Sequence, residues 1–441
     1  MLQTFLKFTI QQSILQKLIV NTVIARALST ALNFVIALLI ARHAGPAVKG
    51  DVTLLITTTW FLIFFSNILG GQVLVYLIPR NKIELLIVPA YCWSVLIALS
   101  GFVFLKFTHL IYANHIPSIV ALSFLSAIIS INQTVLLARK QIGNANVIQT
   151  VPLLGQLAGA IICFYFMHIS DAYAYIYASL IAYTVTAGIS LLSVKKFIHL
   201  TGAREFFSAK ELKISFRFGL LFQLIEILQL LNLRYYFYQL GIQQGSKYLG
   251  IFSIGISILE AVWIIPRSIA TVHYVQTSHT DDVKTEAHRA VQLFKLSFLL
   301  CALCLFAIWL VPSQVYIMVF GPGFSDVKHS MRFLFPGVLI YSFPLVISSF
   351  YFGTGKYRSL IIANAAGFAT LIVFGWLLIP RYVMSGAGLA ATVSFGVAAT
   401  TLFGLFKADS QIPFSDFMPR KEDWLLFKNV LADRFSKEGK T

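Results

Sequence analysis

The stretch Val20–Ala41, "VNTVIARALSTALNFVIALLIA", has the length of a membrane-crossing helix and carries an arginine at its seventh position. About 20 mainly apolar residues suffice to span a bilayer core as an α-helix. Thr22, Arg26, Ser29, Thr30 and Asn33 recur at i, i+4, i+7, i+8 and i+11, so all five share one helical face. A charge held in hydrocarbon costs on the order of a few kcal/mol, and such residues face a partner or a wet cavity. Snorkelling is the alternative, since Arg26 lies only about 12 Å in from Leu18 at about 1.5 Å per residue. A polar stripe that continues past it to Asn33 favours the cavity.

The rest of the chain repeats this pattern. Its 441 residues are 58% hydrophobic and 12% charged, with a mean hydropathy of +0.80. Soluble domains carry roughly a quarter charged residues, so the chain reads as an all-α polytopic membrane protein. Twelve spans are expected, near 18–41, 52–78, 84–106, 113–138, 147–168, 172–194, 214–239, 247–272, 290–312, 330–353, 359–380 and 385–407.

Lys and Arg set the direction, because they accumulate in cytoplasmic loops. Of the 34, 25 fall on one side and seven on the other, with Arg26 and Arg234 inside spans. Both termini are expected in the cytoplasm, in a bacterial inner membrane. The net charge of +17 is explained by this bias, and no basic run is long enough to be a nucleic-acid arm.

The basic linker "KKFIHLTGAREFFSAKELK" divides the chain into six spans plus six. The expected organisation is a six-helix bundle (1–194), a cytoplasmic linker (195–213), a second bundle (214–407) and a cytoplasmic tail (408–441). The loop after span one reads Gly45-Pro46-Ala47-Val48-Lys49-Gly50. The loop after span seven has Gly241, then Lys247 and Gly250, about 200 residues later. An even number of spans per half implies a parallel repeat around a central cavity. In the tail, Trp424, Phe427, Leu431 and Phe435 share a face and predict an amphipathic surface helix. The N-terminus has no small-x-small cleavage site and reads as an interfacial helix.

Span seven, the counterpart of span one, carries Gln223, Glu226, Gln229 and Arg234 within an arc of about 140°. Span eight adds Ser253, Ser257, Glu260 and Arg267 on one face. Together these spans are expected to line one polar cavity. Arginine suits a phosphate-bearing guest, because its planar fork donates paired hydrogen bonds and stays charged when partly desolvated. Candidate binding residues are therefore Arg26, Arg234, Asn33, Gln223 and Gln229. Glu226 and Glu260 are candidates for coupling to H+ or Na+, with a structural ion pair or interhelical hydrogen bond as their alternative.

Other motifs are set aside. "GTGKY" at Gly353–Tyr357 lacks the spacing and strand of a phosphate-binding loop. Cys301-x-x-Cys304 lies in an apolar run without a second pair, and packs rather than ligates. The sequon Asn132-Gln133-Thr134 falls within a span.

"ARHAGPAVKGDVTLLITTTWFLIFFSNILGGQVLVYLIPRNK" (Ala41–Lys82) resembles the opening of Wzx-type O-antigen flippases, with their A-R-x-x-G-P-x-x-x-G motif. "FGPGFSDVKHSMRFLFPGVL" (Phe320–Leu339) and the stretch from Gly353 to Ser394 are similar to later segments of that family. The resemblance implies the multidrug/oligosaccharidyl-lipid/polysaccharide exporter superfamily, two six-helix bundles and alternating access. It further implies a flippase, not an enzyme, that moves undecaprenyl-diphosphate-linked glycan to the outer leaflet for O-antigen, capsule or exopolysaccharide. A polysaccharide polymerase and a chain-length regulator are its implied partners. The rivals are a MATE-like multidrug exporter, disfavoured by arginines, and a membrane polysaccharide polymerase, disfavoured by the lack of a large external loop. A lipid II flippase usually has fourteen spans.

Overall fold

The computed structural model describes residues 2–108, 110–198, 208–277 and 282–417. The amphipathic helix expected in the tail and the centre of the 195–213 linker lie outside these residues, as do some side chains within helices, that of Arg26 included. The described elements are helical, with no strand among them. They are α1 (Leu2–Gly70), α2 (Gln72–Leu77), α3 (Glu84–Thr108), α4 (Ile116–Ala138), α5 (Ile142–Ile161), α6 (Ala172–Lys195) and α7 (Ala209–Gln244). The chain continues as α8 (Ser246–Glu260), α9 (Ile264–Thr277), α10 (Val283–Leu310), α11 (Ser313–Phe320), α12 (Val327–Met331), α13 (Phe335–Thr354) and α14 (Tyr357–Ser410).

Among the described residues, ten helical segments are long and apolar enough to cross a membrane. Two of them are broken internally, α1 at Gly45 (φ 79°) and α14 at Val383 (φ 50°). Dividing each at its break yields the twelve expected spans. The break in α1 is local chemistry: glycine takes a positive φ without a Cβ clash, and Pro46, which lacks an N–H, opens the next helix. The break in α14 is unusual, because a β-branched residue rarely adopts positive φ. A Cβ at Gly386 would strike the Leu378 carbonyl, so only glycine lets the chain fold back so tightly there. Span eight is also interrupted, by a 3-10 turn at Ala261–Trp263 between α8 and α9.

By packing, the chain forms two compact units. The first is Met1–Ile227 with Gly245–Ile251 and Val319–Phe324; the second is Leu228–Gln244, Phe252–Met318 and Ser325–Thr441. This division falls within α7, and it measures packing rather than the repeat boundary expected at 195–213. In the first unit, Leu74, Ile87, Ile131, Val135 and Ile148 form a buried cluster. A polar seam runs beside it, where Asn132 accepts from Tyr91 and donates to Ser190 at 2.8 Å. Asn132 is thus buried, as its place within a span requires. In the second unit, Trp263 donates its indole N–H to the Val338 carbonyl at 2.9 Å, and Ser394 hydrogen-bonds Asn232 and the Gly367 carbonyl. Such interhelical hydrogen bonds tie helices together where lipid offers no hydrophobic drive. Large apolar side chains, including Phe107, Phe166, Ile181, Leu192 and Met318, point outward, which suits a hydrocarbon solvent.

Candidate substrate and coupling site

Gly245, at φ 94°, separates α7 from α8 and turns the chain back on itself. Arg234 lies about 16 Å before that turn and Glu260 about 22 Å after it, at about 1.5 Å per residue. Long side chains close the difference. Nη1 of Arg234 donates to Glu260 Oε1 at 2.6 Å and Nη2 donates to Oε2 at 2.6 Å. Nη1 also donates to the Leu233 carbonyl at 2.9 Å, and the guanidinium lies 5.3 Å from the centre of the Phe237 ring. This is a two-pronged ion pair, the strong form of the Arg–carboxylate contact. Each side chain keeps 15% of its surface exposed, so the pair is secluded but still reachable.

The remaining candidates are distributed as follows. Ser29 is buried and bonds the Ala25 carbonyl, while Asn33 is exposed and donates to the Ser29 carbonyl at 2.8 Å. Gln223 is buried; Glu226 and Gln229 are half-buried on α7. Arg26, Asn33, Gln223 and Glu226 belong to the first unit, and Gln229, Arg234 and Glu260 to the second. Among these candidates, Arg234 and Glu260 form an ion pair.

A second charged cluster went unread in the sequence. At the α9–α10 hairpin, Glu286 accepts from Arg289 at 2.6 Å and from Thr277 at 3.0 Å, and its carboxylate lies 3.4 Å from His273 Nε2. The other ring nitrogen of His273 is 2.8 Å from Ser349 Oγ. His273 and Glu286 are 0% and 1% exposed. Desolvation holds the His273 imidazole below its ordinary pKa, against the opposing pull of Glu286. The i, i+3 spacing of Glu286 and Arg289 was visible, but nothing in the letters indicated that His273 lies opposite them.

A third feature is Lys49, which is 5% exposed and donates to Thr53 Oγ1 at 2.9 Å. No carboxylate pairs with it among the described residues.

No family model and no curated protein matches the chain. Solved structures do. The chain is similar to an inward-facing multidrug-resistance MATE transporter of the MOP superfamily, with 14% identity and a TM-score of 0.73 over 87% of this chain and 94% of that one. It is similar to the lipid II flippase MurJ in an inward closed conformation, with 13% identity and a TM-score of 0.68 over 90% and 88%. A third similar structure is a MOP-superfamily transporter from Pyrococcus furiosus, described as having a binding pocket of reversed polarity. It has 15% identity and a TM-score of 0.61 over 89% and 94%. This chain therefore has the multi-pass, all-helical fold of the MOP-superfamily transporters.

Proposed function

We propose that the protein is a flippase for a lipid-linked anionic glycan, a polyprenyl-diphosphate-linked oligosaccharide, in a bacterial inner membrane. The observation that carries this reading is the Arg234–Glu260 fork. A guanidinium already organised to hold two oxygens of a carboxylate offers the same two donors to a diphosphate. The incoming diphosphate displaces Glu260, and the freed carboxylate becomes the site for the coupling ion, H+ or Na+. Binding and ion coupling then become one exchange: the guest leaves when Glu260 releases the ion and reclaims Arg234. Arg26, Asn33, Gln223 and Gln229 supply further polar contacts to the head group and sugars, with Glu226 as a second coupling candidate. The similarity to MurJ, a lipid II flippase, supports a lipid-linked substrate.

A second reading is a MATE-like drug exporter, favoured by the multidrug transporter among the similar structures and by Glu260 as a carboxylate for an organic cation. One experiment separates them. The gene is deleted in the native host, and polyprenyl-linked glycans are fractionated and assigned to inner or outer leaflet. Accumulation of single repeat units in the inner leaflet, reversed by the wild-type gene and not by Arg234→Ala, supports the flippase. Unchanged glycolipids together with increased sensitivity to cationic drugs reject it in favour of the exporter.

A further inference from the structure

Glycine lets helices of the first unit approach backbone to backbone. The helix starts after Gly45 and Gly245 cross in this way: a Cβ on Gly50 would land on the Ser246 carbonyl, and one on Gly250 on the Pro46 carbonyl. The loop after span seven therefore matches that after span one through Gly245 and Gly250, rather than through Gly241 and Lys247. The antiparallel pair α5 and α6 meets in the same manner, Gly155 against Ala182 and Gly159 against Ala178. Carried towards the other end of the pair, that register sets Ile148 opposite Ile189, Asn144 opposite Ser193 and Gln141 opposite Lys196. Larger side chains hold the helices apart there, and a cavity of about 220 Å³ opens between them. Asn144, Ser193 and Lys196 line its polar end, and Val147, Ile189 and Leu192 its apolar walls. Lys196 closes the register, its Nζ donating to Gln141 Oε1 at 3.2 Å.

α4 ends in a left-handed turn at Lys140 (φ 58°), where the Gln141 N–H donates to the Leu136 carbonyl at 2.8 Å. This turn carries Arg139 and Lys140 beside the end of α6, which carries Lys195 and Lys196. Arg139 and Lys196 lie 5.8 and 5.0 Å from the centre of one ring, that of Phe197. Like charges gathered at one ring repel, and no Asp or Glu stands in 139–149 or 185–198 to relieve them. We propose that this cavity seats the phosphate head group of an anionic phospholipid of the cytoplasmic leaflet, whose acyl chains lie along the exposed apolar faces of α5 and α6. The leaflet is the one assigned by the Lys and Arg bias. That bias accounts for cations on this side, not for a cavity between them. Its volume is below the roughly 300–1,000 Å³ of sites that enclose a drug-sized guest, so it takes a head group and leaves the chains outside. Lys196 and Asn144 both donate to Gln141 Oε1, at 3.2 and 2.8 Å, and each has a further N–H for phosphate oxygens. Val147, Ile189 and Leu192 are exposed, and Leu154, Ile181 and Val185 carry the exposed apolar surface further along the two helices. A free anion leaves such walls bare, whereas a lipid covers them. Basic pockets between helices at a cytoplasmic surface hold anionic head groups on the same terms.

The test titrates the full-length protein in detergent with phosphatidylglycerol and counts bound lipid by native mass spectrometry. Lys196→Gln is expected to weaken the tightest site about fivefold, the share of one cation near a surface. Ser193→Phe keeps every charge, fills the cavity and is expected to abolish that site. Arg358→Gln removes an equal charge at the start of α14 and is expected to leave affinity within about twofold. Lys196→Arg is expected to retain binding, which a folding defect would not allow. Phosphatidylcholine, with no net charge, is expected to bind about tenfold more weakly than phosphatidylglycerol. Equal phosphatidylglycerol affinity in wild-type protein and in either Lys196→Gln or Ser193→Phe overturns the site. So does displacement of the lipid by inorganic phosphate at comparable concentration, which means a site for a free anion. None of these readouts needs transport, so their failure leaves the flippase reading untouched, and a protein that moves no glycolipid leaves the lipid site standing.

Discussion

The Arg234–Glu260 pair and the His273–Glu286–Arg289 cluster sit in the same unit and are built on different terms. Glu260 has a single described partner, Arg234, and both keep part of their surface open. Glu286 is sealed and meets three side chains, His273, Thr277 and Arg289. In the first case one incoming anion is enough to dissolve the arrangement. In the second, no single exchange replaces all the partners. A charge whose complement is held by one contact suits a step in a cycle, whereas a charge held by several suits a fixed joint between helices.

The comparison breaks first on transport. Arg234→Ala is expected to lower glycolipid export per folded molecule by about a hundredfold, while Glu286→Gln leaves that rate within about twofold. An equal loss in both variants, measured on leaflet-resolved glycolipids, erases the distinction between the two centres. Stability sharpens it next. Glu260→Ala leaves the guanidinium without its counter-charge and is expected to cost about 2 kcal/mol, discounted from a fully buried pair for its residual exposure. Arg234→Met combined with Glu260→Met is expected to recover most of that while still abolishing transport. Thermal unfolding in detergent measures both, and a double variant as unstable as the single one means that the pair is not the coupled unit.

In the sealed cluster, Glu286→Gln is expected to cost about 1–2 kcal/mol, because Arg289 and Thr277 lose a charged acceptor without leaving a charge in lipid. The smallest effect is on pH. The His273 pKa is lowered in the fold, so below the ordinary histidine range the unfolded chain binds a proton that the folded chain refuses. Acidification through that range is expected to lower stability, and His273→Gln to flatten the slope. A slope of opposite sign in wild-type protein means that His273 is charged in the fold.

Much of the fold was legible because hydrocarbon imposes length and apolarity on every span. Even the two merged helices are divided near the expected places, at Gly45-Pro46 and around Val383. Face was legible as well: Arg234 and Glu260 were both read as polar positions on adjacent spans. Their pairing was not, because periodicity gives the side of a helix and not the depth at which a neighbour meets it. That depth depends on where the turn falls, and Gly245 declares itself by its φ, not by its letter among Gly241, Gly245 and Gly250. His273 escaped for a related reason. It stands near the end of α9, 13 residues before Glu286, and only the packing of α9 against α10 makes them neighbours.

The crossing at Gly50 and Gly250 has a consequence for symmetry. A surface in which position 46 meets position 250 while position 246 meets position 50 has the form that a two-fold axis gives when one chain meets its own copy. The two sides differ in letter around it, with Pro46 matched to Ser246 and Lys49 to Leu249. The glycines are common to both sides, since each must make room for the other's backbone.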